Sequence, residues 1–211
     1  MLKEFCAENF TDIPKALVAG AKRIELCDNL AVGGTTCSIG VIEEVTKYAH
    51  EMNVSVFPII RPRCGNFIYN DIEVKIMETD ILKAVEIGVD GVVFGATTTD
   101  NWLDEEVLET LLIPAQGVEK TFHMAFDEIP KERQKEAIDR LVELGFTRIL
   151  THGSELAKPI AENIAHLKEL VDYAGDRIII LIGGGVNYEN VDELIKQTGA
   201  KEAHGTKIVK I

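Results

Sequence analysis

Eight short apolar runs punctuate this chain, and between most neighbours lies a stretch of helical period. The runs fall at residues 4–8, 23–28, 58–63, 92–95, 121–127, 149–153, 180–185 and 202–206. Between them, residues 39–52 place Val41, Ile42, Val45, Tyr48 and Ala49 on one helical stripe. Residues 73–87 repeat the pattern with Ile76, Met77, Ile81, Leu82 and Val85, and further helices are expected over 13–19, 104–112, 131–144, 161–174 and 187–198. Gly20, Gly88, Gly145, Gly175 and Gly199 stand where helices should stop, in positions that suit a left-handed residue. Strand–helix alternation repeated this often predicts an α/β fold with a parallel sheet, and eight strands predict a closed TIM-type (β/α)8 barrel.

The 211 residues form a single domain, 1–211, because no linker-like segment divides them. The length is near the lower limit of roughly 200 residues for this architecture, which leaves no room for long inserted loops. Only five residues follow Thr206, so the eighth helix is expected to be missing or very short. Its loss should bare apolar barrel wall between the last strand and the first, a surface suited to pairing two copies as a homodimer. The net charge of −13 argues against a nucleic-acid surface. The first residues carry charges where a signal peptide needs an apolar core, and the longest aliphatic run, 178–182, is too short to cross a bilayer. The expectation is a cytoplasmic protein without membrane partners. Its four cysteines, Cys6, Cys27, Cys37 and Cys64, are then expected to be free thiols.

Strand side chains two apart share a face. Glu4, Cys6 and Glu8 fall together, as do Glu25 with Cys27, His123 with Ala125 and Asp127, and Glu202 with His204 and Thr206. In a barrel of this kind the active site lies where the strands end. Glu25, His123 and Asp127 are candidate acid–base groups, because such chemistry needs titratable side chains near neutrality. Arg23 and Glu25 could instead form an ion pair plugging the barrel floor. Arg61 and Arg63 flank Pro62 and could clamp a carboxylate or phosphate, or could pair with Glu25 or Asp127. Gly183, Gly184, Gly185, Gly205 and Thr206 end the last two strands, where loops frequently bind anions, though tight turns alone would also use glycine. Met124 alternates away from His123 and is expected to face a helix.

Several of these segments together resemble the CutC family: Arg23-Ile-Glu-Leu-Cys27, Gly33-Gly-Thr-Thr, Ile60-Arg-Pro-Arg63 with Phe67-x-Tyr69, Phe122-His-x-Ala-Phe-Asp127 and Gly183-Gly-Gly-Val186. The resemblance runs from about residue 2 to 206. It implies copper-homeostasis proteins with a TIM-barrel fold, a cytoplasmic location and often a dimeric state. It also implies that Cys6 and Cys27 match the family's cysteines on the first two strands, the proposed Cu(I) ligands. Soft Cu(I) prefers thiolates, and neighbouring strands would set these two near enough to bracket one ion in near-linear coordination. The chain departs from the family at Met124 (commonly Arg), Cys37 (Pro), Cys64 (Gly) and His152 (Ser). The partner is thus expected to be a copper ion or, for an enzyme at the same mouth, a small anionic and possibly phosphorylated molecule.

Overall fold

The computed structural model, which describes residues 1–211, has eight strands, the third of which lies before its expected run, at 55–58 instead of 58–63, because the chain leaves the regular strand after Pro58. They are β1 (Leu2–Glu8), β2 (Arg23–Cys27), β3 (Ser55–Pro58), β4 (Gly91–Phe94), β5 (Glu119–Phe122), β6 (Arg148–Thr151), β7 (Ile179–Ile182) and β8 (Glu202–Gly205). All pair in parallel in the order β3-β2-β1-β8-β7-β6-β5-β4. The two ends of that order meet. Ile60 N donates to Val93 O at 2.7 Å and Asp90 N to Val56 O at 3.2 Å, which closes the barrel and leaves no free sheet edge.

Seven helices alternate with the strands: α1 (Ile13–Val18), α2 (Ile39–Glu51), α3 (Asp71–Ile87), α4 (Glu105–Leu112), α5 (Gln134–Glu143), α6 (Ile164–Ala174) and α7 (Val191–Thr198). Local chemistry sets their ends. Asn70 accepts from the N–H groups of Ile72 and Glu73 while Glu73 reaches back to Asn70, a reciprocal cap that starts α3. Gly88 stops the same helix at φ 96°. The expected starts of α5 and α6 need correction. Pro130 and Pro159 each open a 3-10 turn, with Arg133 N donating to Pro130 O and Glu162 N to Pro159 O, before the α-helix begins.

The period-2 alternation splits the interior in two. Outward strand residues such as Ile24, Leu26, Val56 and Val92 pack beneath the helices in one large apolar core. Inward residues Cys6, Cys27, Phe57, Ile59 and Val93 form a small cluster inside the barrel. Below it lies a buried ionic plug. Arg23 bridges Glu4 and Glu202, while Arg148 contacts Glu202 at 3.2 Å and Glu119 at 2.6 Å. Both guanidinium groups stack on the Phe57 ring, at 5.1 and 5.0 Å from its centre. The alternative of an Arg23–Glu25 pair is not realised: Arg23 plugs the floor by reaching Glu4 on β1 and Glu202 on β8, and Glu25 is left to the mouth.

Two further expectations are corrected. No helix follows β8, yet the barrel wall there is not bare. The outward residues Phe5 on β1 and Ala203 on β8 are 4% and 0% exposed, and the turn and bends of residues 206–209 bury Ile208 and Val209, with Tyr188 N donating to Lys207 O at 2.8 Å. The run at 121–127 is not one strand. It leaves the sheet after Phe122, and Met124–Glu128 winds into a 3-10 turn capped by His123, whose Nδ1 accepts from Ala125 N at 3.2 Å. His123 and Asp127 consequently do not share a face. No helix is long and apolar enough to cross a membrane.

Candidate metal and anion site at the barrel mouth

The register of β1 on β2 sets Cys6 opposite Glu25 and Glu8 opposite Cys27. With side chains alternating, Cys6, Glu25 and Cys27 all turn inward. The two sulfurs lie 4.0 Å apart, and the Glu25 carboxyl stands 3.3 Å from Cys6 and 3.5 Å from Cys27. These three ligand atoms fall within 4.8 Å of one another, and all three residues are buried. They line a pocket of about 140 Å³ together with Arg61, His123, Met124 and His204.

Parity with Glu202 puts His204 at the mouth, but its importance comes from its neighbours. Its Nδ1 sits 2.7 Å from Glu4 and its Nε2 3.5 Å from Glu25. Burial opposes a charged ring, but Glu25, Cys6 and Glu4 around it raise the His204 pKa well above its ordinary value. A hydrogen bond from Cys27 holds the Cys6 thiol down at about 5 against the cost of burial, and the His204 charge adds to the effect. The same sulfur–sulfur contact, with burial, pushes Cys27 up. Burial likewise pushes the Glu25 carboxyl up. Burial would raise Glu4 too, but Arg23 and His204 outweigh it and hold this carboxyl at about 2. Glu4 thus connects the ionic plug to the mouth.

The other candidates separate. His123 reaches the pocket as a neutral ring: burial and then the Arg61 charge depress its pKa to about 3. Its Nδ1 is an acceptor for Ala125, so the proton belongs on Nε2, which has no partner. Asp127 takes no place among these groups. It accepts from Thr151 Oγ1 at 2.5 Å, His152 N at 2.9 Å and Gly153 N at 3.1 Å, fastening the turn after β6. Burial pushes its pKa to about 6 despite those donors.

Neither arginine pairs with Glu25 or Asp127. Arg61 donates to the carbonyls of Val32, Gly34 and Gly65 and lies 5.0 Å over Phe67, at the pocket wall. Arg63 is spent on Glu73 and on the carbonyls of Cys64, Asn66 and Ile68. Met124 does not face a helix; the 3-10 turn swings its thioether side chain into the mouth. Gly184, Gly185, Gly205 and Thr206 line a separate cleft beside the pocket, and Met124 and His204 belong to both. Gly183 sits just behind, with His204 and Met124 3.3 and 3.4 Å from where its Cβ would be. Cys37 is buried in the outer core and Cys64 is exposed, both away from the mouth.

A closed parallel barrel with two thiols, a carboxyl and a histidine gathered at the C-terminal strand ends defines a TIM-barrel protein with a soft-ligand pocket at its mouth. The chain belongs to the CutC family, whose profile matches residues 1–209. It is 60% identical over 209 residues to a family protein CutC of Enterococcus faecalis, covering 99% of this chain and all of that one. It is 38% identical to a mouse protein named copper homeostasis protein cutC homolog, covering 96% of this chain and 72% of the relative. Among solved structures, a CutC from Streptococcus agalactiae superposes with a TM-score of 0.97 at 56% identity, over 99% of this chain and all of that one.

Proposed function

We propose that this protein serves copper homeostasis by holding Cu(I) between the sulfurs of Cys6 and Cys27. The observation that carries the reading is the pair of buried thiols 4.0 Å apart, and the hydrogen bond from Cys27 and the His204 charge favour the thiolate form of Cys6. A thiolate is the donor that soft Cu(I) selects, and the surroundings of Cys6 lower its pKa toward that form. Two metal–sulfur bonds of about 2.3 Å in line would need sulfurs roughly 4.6 Å apart. The observed separation favours a bent pair with space for a third donor, and Glu25 belongs to the same cluster. The name of the mouse relative supports the same role.

Anaerobic titration tests this reading. The wild type should take up one Cu(I) per chain, and the Cys6→Ser/Cys27→Ser variant should lose more than about a hundredfold in affinity, beyond what outer-shell changes cost. A thermal melt of the same samples separates lost binding from lost fold. Unchanged stoichiometry and affinity in the double variant would overturn the assignment.

A second reading is supported by His204 lying between Glu4 and Glu25 beside Cys6. Such a cluster can pass a proton to and from a bound molecule, with Glu25 and His204 as the exchanging groups and neutral His123 as a hydrogen-bond donor. In that reading the protein is an acid–base enzyme for a small anionic metabolite at the same mouth.

A further inference from the structure

The turns after β7 and β8 enclose a cleft of about 350 Å³ that opens beside the inner pocket. We propose that this cleft binds the phosphate group of a small organic phosphate whose remaining atoms enter the inner pocket.

The backbone of the cleft is arranged for an anion. The carbonyls of Gly183 and Gly184 face His152 Nδ1 at 3.2 and 2.9 Å, and Asn190 Nδ2 donates to the carbonyl of Gly185 at 2.9 Å. With the oxygens of the turn held in this way, the N–H groups of Gly184, Gly185 and Val186 donate no hydrogen bond within the chain, nor does that of Thr206 across the cleft. Val186 is a buried residue, while Gly185 and Thr206 are exposed on the cleft, where an incoming anion can reach their N–H groups. Gly184 and Gly185 both take positive φ, 73° and 81°, a backbone path that glycine allows, and no Cβ there stands between their N–H groups and the cleft. His152 thereby gains a role as the brace of this turn.

Charge agrees with the backbone. The chain carries a net −13, yet no acidic side chain lines the cleft, whereas the exposed Lys207 does. Phosphate is a strong acceptor that suits free N–H groups and one ammonium.

Continuity limits the rest of the ligand. Met124 and His204 line both the cleft and the inner pocket, so a molecule seated in one can extend into the other. The inner pocket holds only about 140 Å³, room for a few carbon atoms, and offers Glu25 and His204 to hydroxyl or carbonyl oxygens. The ligand class is a short-chain phosphorylated hydroxy or oxo compound. The organic end rests on the acid–base reading above; the phosphate contact does not, and its test needs no turnover.

Metal-free, ¹⁵N-labelled full-length protein titrated with inorganic phosphate, glycerol 3-phosphate and glycerol decides the matter. Phosphate should move the amide resonances of Gly184, Gly185, Val186 and Thr206 saturably. Lys207→Ala, an exposed change that leaves the core intact, should weaken phosphate roughly tenfold, the size of one charge-assisted hydrogen bond. Glycerol 3-phosphate should bind more tightly than phosphate, and glycerol alone should leave these amides in place. Amides that stay unmoved at millimolar phosphate, or an affinity indifferent to Lys207→Ala, overturn the proposal. Glycerol 3-phosphate binding no tighter than phosphate removes the extension into the inner pocket. None of these outcomes alters the Cu(I) titration, which reads different atoms.

Discussion

Arg23 shows most directly what a single residue does in this barrel. Its side chain is buried, and its guanidinium bridges Glu4 on β1 and Glu202 on β8 while lying over Phe57. Burial opposes the charge, but Glu4 and Glu202 more than offset that and raise its pKa. Removing one member of such a set leaves opposite charges buried without compensation, which costs about 3–5 kcal/mol. Arg23→Met keeps the apolar stem and deletes only the fork. It is expected to lower the unfolding free energy by that amount in urea titrations, and a loss below about 1 kcal/mol would show that the plug relaxes around the gap. Because Glu4 also holds His204, the same variant should loosen the mouth. The charged floor and the candidate site are thus one hydrogen-bonded system.

At the scale of elements, the period of the sequence carried six of the strands, the helices and the inward set of Cys6, Glu25 and Cys27, but set the third strand too late and ran the fifth past its end. Alternation determines which face a strand residue takes, and closure of the barrel does the rest. Where the reading failed, the deciding contacts were tertiary. The segment after Phe122 still alternates, but it leaves the sheet because His123 caps a 3-10 turn, and that turn sends Asp127 to β6 and Met124 to the mouth. Arg61 and Arg63 found loop carbonyls and Glu73, partners that depend on the path of residues 59–70. The importance of His204 was hidden because Glu4 and Glu25 reach it from other strands. Packing between elements makes a sharper demand at Gly91 on β4, where a Cβ would stand 2.3 Å from the Phe57 ring. Arg23 and Arg148 stack on that ring, so it has little freedom to move aside. Gly91→Ala should therefore destabilise by about 1–3 kcal/mol through overpacking. In a double-mutant cycle with Phe57→Leu most of that penalty should vanish, whereas additive losses would place the strain elsewhere.

For the whole molecule, the buried carboxyls give the stability curve its shape in acid. Glu4 is held at about 2 against an ordinary 4.5, with Arg23 and His204 overcoming burial, so as pH falls the unfolded chain takes up its proton first. The stability that Glu4 supplies is present above about pH 4.5 and drains away toward pH 2. Asp127 and Glu25 act with the opposite sign. Both are raised by burial, so their contribution is greatest when they are protonated and declines as pH rises through their folded values. Below about pH 3.8 the Asp127 carboxyl is protonated folded and unfolded alike, and the raised Glu25 is protonated in the folded state, so neither works against Glu4 there. Other depressed carboxyls, such as Glu73 and Asp139, pair near the surface, where salt screens them. The acid limb measured by urea unfolding in high salt should therefore fall steeply between pH 4.5 and 2 in the wild type. In Glu4→Gln the protein should be less stable near neutrality, because Arg23 loses a counter-charge, and its acid limb should be much flatter. An acid limb of unchanged slope in that variant would move the acid sensitivity of the fold away from the plug and onto surface pairs. Retention of the slope in high salt, together with its loss in Glu4→Gln, would tie the integrity of the barrel floor and the charge state of the mouth to the same buried carboxyl.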